Sequence, residues 1–277
     1  MSRVWNCAIF AFWALATGLL VREKVLPALL EQYYPTYAST MRRLQEEDYV
    51  MGIFLAGQSG ERRIGSSATS VATFVVERPG DTAFALRNET AIDLSALGMA
   101  LGTDLTMRTT TLLDSFHHVK SYDALLRTGL GDFVLNGVVR SEHSMDIMVT
   151  SPLQNDPDRR TIYFDNAMAL SNGLSPFQSP ESLAIGRSWT IHRIDPLSAV
   201  FGAEVKTLAM TALVDRRETI QIAGVPFDAF VVIVRGDRYQ ATAWISEDGD
   251  ILQERVPFGP GGLPLVMRRL EAPGKRR

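Results

Sequence analysis

The chain has little with which to build covalent or metal chemistry. One cysteine among 277 residues excludes an intramolecular disulfide framework and any multi-cysteine metal site. Four histidines leave scant material for a histidine-rich centre. Charge of one sign is also missing: 28 Lys+Arg against 31 Asp+Glu give a net −3 and a pI of about 5.9, whereas a nucleic-acid-binding domain is normally basic. Between residues 50 and 260 no amphipathic helix of about twelve residues or more is legible. No fixed-period repeat emerges either. What remains is 46% hydrophobic and 21% charged residues, a composition that builds a core and excludes wholesale disorder.

Catalytic patterns fail one by one. Ser59 sits in Gly57-Gln58-Ser59-Gly60, which lacks the Gly-x-Ser-x-Gly spacing of a nucleophile elbow. Cys7 falls inside an apolar run and is not a nucleophile of a folded domain. His117 and His118 are adjacent, so on a strand they point to opposite faces and do not clasp one metal. His143 with Glu142 and Asp146 reads as the charged tip of a hairpin. Glu247-Asp248-Gly249-Asp250 fails as a calcium loop, because Trp244 falls at the first ligand position. Asn88-Glu89-Thr90 matches a glycosylation acceptor, a triplet frequent by chance. No phosphate-binding glycine loop occurs. The expectation is a non-enzymatic protein with no catalytic, cofactor-binding or metal residues and no cofactor.

The strongest positive feature is at the N-terminus. Val4 to Val21 (VWNCAIFAFWALATGLLV) carries no charge, with Asn6 and Thr17 as its only polar interruptions. As a helix it would span about 27 Å, close to the ~30 Å hydrocarbon core. Residues 1–21 are expected to be a retained transmembrane anchor, with Trp5, Phe10, Phe12, Trp13, Leu19 and Leu20 as its lipid-facing bulk. The competing reading is a cleaved secretory signal ending at Ala14-Leu15-Ala16; the apolar run continues past it. The expected location is the inner membrane, single-pass, with the bulk of the chain periplasmic, although flanking charge does not fix the orientation.

Beyond the anchor, Leu26, Leu29, Leu30, Tyr33, Tyr34 and Tyr37 recur with helical spacing. Pro27 and Pro35 should break this juxtamembrane segment (22–48) into two pieces. Its tyrosines suit three settings: the headgroup belt, the protein's own sheet, or a partner subunit. The implied partners are membrane lipids and integral-membrane proteins, and no nucleic acid.

From about Tyr49 the texture becomes β-like, and a β-domain is expected over 49–258. Ser70–Glu77, Thr82–Leu86, Asp104–Leu113, Phe133–Arg140 and Met145–Thr150 read as strands. Residues 151–160 and Leu170–Glu181 read as loops. Later come Ser188–Ile194, Val205–Asp215, Glu218–Ile222, Phe227–Arg235, Tyr239–Ser246 and Ile251–Val256, with Asp248-Gly249 as a hairpin signal. Residues 259–277 read as a Gly/Pro-rich basic tail with one short strand at Leu263–Arg268. Trp189 and Trp244 lie inside alternating patterns and are expected in the core.

Residues 186–257 carry a cadence: Gly186 and Trp189, Asp195-Pro196, Glu218-Thr219-Ile220, Gly224-Val225-Pro226-Phe227-Asp228-Ala229-Phe230, and Trp244 through Leu252. This resembles the half-barrel β-proteins of the LolA-like, lipoprotein-carrier type. The resemblance implies a mainly β fold, a curled antiparallel sheet whose concave face holds acyl chains, and it brings no catalytic residue. Two readings stay open: a structural or accessory subunit of a larger membrane complex, or a lipid-, acyl-chain- or lipoprotein-binding module. An enzyme with a dispersed active site is the third and least favoured.

Overall fold

A computed structural model describes residues 13, 15–19, 21, 49–57, 60–75, 82–97, 104–115, 118–141, 144–163, 183–194, 207–237, 239–258 and 262–271. Within these the chain forms two antiparallel meanders. The first holds β1 (Tyr49–Gly57), β2 (Gly60–Val75), β3 (Thr82–Asp93), β4 (Asp104–Leu113), β5 (Val119–Thr128), β6 (Gly131–Ser141), β7 (Ser144–Thr150) and β8 (Asp158–Tyr163). The second holds β9 (Ser188–Ile194), β10 (Thr207–Ile222), β11 (Val225–Arg235), β12 (Gln240–Ser246), β13 (Ile251–Phe258) and β14 (Leu263–Arg269). The pairing of β1 with β14 joins them into one 14-stranded sheet, in the order β8-β7-β6-β5-β4-β3-β2-β1-β14-β13-β12-β11-β10-β9.

Alternation decides which face is inside. On β4, Leu105, Met107, Thr109, Thr111 and Leu113 are buried while their neighbours are less so, the period-two signature of a half-buried strand. Strands twist, and a sheet this wide curls rather than staying flat. The main apolar cluster accordingly runs from Ile162 on β8 through Tyr122, Phe133 and Ile53 to Trp189 on β9. β8 and β9 are nonetheless unpaired with each other, so the sheet is open.

Bulges move side chains between faces. A register shift between Val214 and Arg216 interrupts the β10–β11 pairing. Before it, Met210, Ala212 and Val214 face the main core; after it, Arg217 faces inward against Phe230, 4.4 Å from the ring centroid. Ile220 and Ile222 are thereby sent to the outer face. There they pack with Phe227, Ala229, Val231, Trp244 and Leu252 in a second, smaller cluster. The same bulge made β10 read in sequence as two separate runs. At the next turn Ala223 (φ 50°) and Gly224 (φ 81°) are both left-handed, the geometry of a tight type I′ hairpin. Gly65 serves close approach instead: a Cβ there would lie 2.1 Å from the Ala91 carbonyl oxygen.

Several sequence expectations change. β5 and β1 carry no clear strand signal in the sequence, because VKSYDALLRT interrupts its alternation with charge and YVMGIFLAG contains glycine and helix formers. The segment 151–160 is not wholly a loop, since β8 begins at Asp158. The short strand assigned to the tail is β14, at the middle of the sheet. Both tryptophans are buried, Trp189 at 4% exposure in the main cluster and Trp244 at 8% in the outer one. Alanine at either position should cost about 3–5 kcal/mol, read as a thermal midpoint lowered by roughly 2–4 °C per kcal/mol. A chain ending after Phe258 loses β14 and should lose its cooperative melting transition by circular dichroism.

Candidate functional site

The residues expected to contact lipid or a partner fall mostly outside the described part. Trp5, Phe10, Phe12 and Leu20 do so, as do Leu26, Leu29, Leu30, Tyr33, Tyr34 and Tyr37. Trp13 and Leu19 are described. Residues 15–19 are helical, and Trp13, Leu15, Leu19 and Val21 are exposed by between 42% and 67%. Thr17 and Gly18 are exposed too, and a Cβ on Gly18 would meet nothing within 4 Å. This turn is therefore apolar yet scarcely covered by the rest of the chain. Among the described residues no helix is long and apolar enough to cross a membrane.

The inner face of the sheet, where the resemblance places acyl chains, is packed. Met107, Tyr122, Leu126, Phe133, Leu135 and Met145 are each exposed by no more than 2%. An acyl chain reaches this surface only by displacing atoms already on it. Across β2 and β3 the apolar lining is interrupted by polar side chains. Asn88 donates from Nδ2 to Ser67 Oγ and to Thr69 Oγ1, both at 2.9 Å. Thr90 Oγ1 donates to Asn88 Oδ1 at 2.9 Å, so the Ser67–Thr90 contact, also 2.9 Å, takes its proton from Ser67. Asn88, Ser67 and Thr90 thus close a ring in which each hydrogen bond polarises the next. Thr109, opposite Asn88 on β4, is buried with its Oγ1 lacking a hydrogen-bond partner.

Chemically this ring is saturated. Its donors and acceptors face one another across the β2–β3 ladder, and a one-residue slip would leave them buried and unmatched. That makes it a register lock. It also removes Asn88 as a glycosylation acceptor, because its amide is buried and committed. It is not legible in the sequence, since Ser, Thr and Asn at alternate positions also fit a solvent-facing side. Glu254 was missed as well: it alternates with Val256 and Phe258 on β13 and is fully buried.

The other titratable candidates do not converge. Among the described residues no group of three His, Cys, Asp or Glu side chains is placed to hold a metal ion. His118 is exposed, its Nδ1 3.7 Å from Asp114, which Lys120 also approaches at 2.9 Å. Ser59, His117, Glu142 and His143 lie outside the described residues.

Comparison with known proteins adds little. No protein-family profile matches the chain, and no curated protein matches it. Among solved structures it is similar to a DUF1089 family protein from Pseudomonas aeruginosa, at 11% identity over 66% of this chain and 87% of that one, with a TM-score of 0.37. Nothing in these comparisons connects residues 186–257 to lipoprotein carriers.

Replacing Asn88 with alanine strands Ser67, Thr69 and Thr90 in the core. It should lower stability by about 1–3 kcal/mol, seen as a lower urea midpoint. The triple variant Ser67→Ala, Asn88→Leu, Thr90→Val removes the polar groups together and should recover part of that loss.

Proposed function

We propose that the protein works by contact rather than turnover, as a membrane-anchored extracytoplasmic accessory subunit of a larger membrane assembly. The observation that carries this reading is the exposure of Trp13, Leu15, Leu19 and Val21. A chain that buries Trp189, Phe133 and Tyr122 leaves Trp13, Leu15, Leu19 and Val21 outside its own core. Apolar side chains left this exposed belong in a second apolar phase, either lipid or a partner. The uncharged run 4–21 supplies the length of a span, and Tyr33, Tyr34 and Tyr37 with Leu26, Leu29 and Leu30 supply aromatic and aliphatic anchors of the kind found at interface centres.

In this reading the β-domain is the rigid body that the anchor holds at the periplasmic side of the inner membrane. The carrier-like alternative, with lipid, an acyl chain or a lipoprotein segment on the concave face, is favoured only by the curl of the sheet. The packed inner face favours the subunit.

Two measurements on the full chain decide between them. Leu15→Arg places a charge near the centre of the span, at a cost of ~2.5–3.5 kcal/mol on insertion scales, and should shift the protein from the membrane to the soluble fraction. Replacing Tyr33, Tyr34 and Tyr37 with serine should release co-purifying membrane subunits in mild detergent while the β-domain melts as before. A protein that purifies alone with stoichiometric extractable lipid overturns the subunit reading in favour of the carrier. Subunit ratios unchanged in the serine variant remove the stripe as the docking surface.

A further inference from the structure

On the outer face of β6, β7 and β8 lies a cleft of about 430 Å³, within the size range of small-molecule sites. Two cross-strand rows build it: Val138–Asp146–Thr161 and Asn136–Met148–Arg159. Arg140 also lines it, while Arg160, across from buried Ile147, turns its side chain to the inner face. Two arginines, Arg140 and Arg159, against one aspartate, Asp146, give the outer-face lining a charge of +1, on a chain whose net charge is −3. A positive concavity on an acidic protein concentrates small anions.

The neighbouring acids are already engaged. Asp146 accepts from Arg140 Nε at 2.7 Å and from Thr161 Oγ1 at 2.8 Å, and these bonds, Arg140 first, hold its carboxyl below the usual carboxylate range. Asp123 accepts from Asn136 Nδ2 at 2.7 Å. Asp158 is taken by Arg160, with Nε at 2.8 Å. Arg159 is exposed, and among the described residues its guanidinium makes no ion pair or hydrogen bond. Beside it, Met148 is half-buried and Val138 is 48% exposed, so the floor of the cleft has apolar surface open to a ligand.

We propose that this cleft binds a small organic carboxylate bearing an apolar group. The planar guanidinium of Arg159 takes the carboxylate in its fork, and the apolar part lies on Met148 and Val138. A single uncommitted guanidinium matches a monoanion better than a phosphate dianion. Arginine on an edge strand also has a purely protective use, repelling other strand edges, and the test separates the two roles.

The full chain in lipid nanodiscs is titrated with benzoate and observed by saturation-transfer NMR, with empty nanodiscs as background. Benzyl alcohol and benzylamine serve as neutral and cationic probes of the same ring. Benzoate should receive magnetisation from the protein well above either probe. Arg159→Gln should weaken binding about tenfold or more, the scale of a lost charge-assisted hydrogen bond. Arg87→Gln, an exposed outer-face arginine on β3 far from the cleft, should leave it unchanged. No transfer above background overturns the proposal, as do equal binding of benzylamine or wild-type affinity in Arg159→Gln. An equal loss in Arg87→Gln would reduce the effect to the overall charge and overturn it too.

Discussion

The sheet depends on the pairing of its first strand with its last. Every other ladder joins strands that follow one another in the chain, whereas β1 and β14 meet as Met51↔Arg269, Ile53↔Met267 and Leu55↔Leu265. Without this ladder the molecule is two separate meanders, each with an unprotected edge. Side chains reinforce it. The Arg269 guanidinium lies 4.9 Å from the Tyr49 ring centroid, that of Arg268 5.7 Å from Phe54, and Arg268 reaches Glu61 at 3.1 Å across 207 residues of sequence. Closing so long a loop costs little more than closing a moderate one, because the entropy grows only with the logarithm of length. The contacts that repay it come only once both meanders exist.

Given that join, the inner face becomes one continuous surface and burial follows from parity. Ile53 and Met267 carry the core across the seam, and Leu86, Met107, Tyr122 and Phe133 extend it to one side, with Val256, Ile245, Val232 and Ala212 on the other. The Asn88 ring sits inside this surface and contributes registry more than stability, since a buried polar network roughly breaks even against an apolar one when fully satisfied. The bulge in β10 has the opposite character. It gives up one ladder position and in return turns Ile220 and Ile222 outward, where Trp244 and Leu252 cover them.

The proposed functional features divide between a sequence run and a surface. The proposed anchor and tyrosine stripe precede β1 in the chain, while the charged cleft lies on β6–β8, the edge of the first meander. Neither needs the concave face, which is filled by the protein's own side chains. In the proposed reading the sheet is a platform, rigid through its packed inner face, with recognition on its outer face and at the N-terminal run.

How much of this was legible in the sequence varies with how local the cause is. Asp104–Leu113 and Ser188–Ile194 were read with their observed limits, because unbroken alternation and flanking turn residues are local facts. The burial of Trp189 and Trp244 was legible for the same reason. β10 was read as two runs because one inserted residue resets the alternation, and sequence alone does not distinguish a bulge from a break. β5 was overlooked because Asp123 and Lys120 obscure a pattern that only Tyr122, Ala124 and Leu126 carry. The sequence by itself determined the strand chemistry, the apolar N-terminal run and the lack of a motif-borne catalytic set. Only the tertiary structure decided that Leu263–Arg269 is a central strand rather than part of a tail, that Asn88 lies in a closed buried ring, and that Arg159 stands uncommitted beside Met148. Each of those depends on which strand lies alongside, and pairing between distant segments is set by the free energy of the whole sheet, not by any one segment.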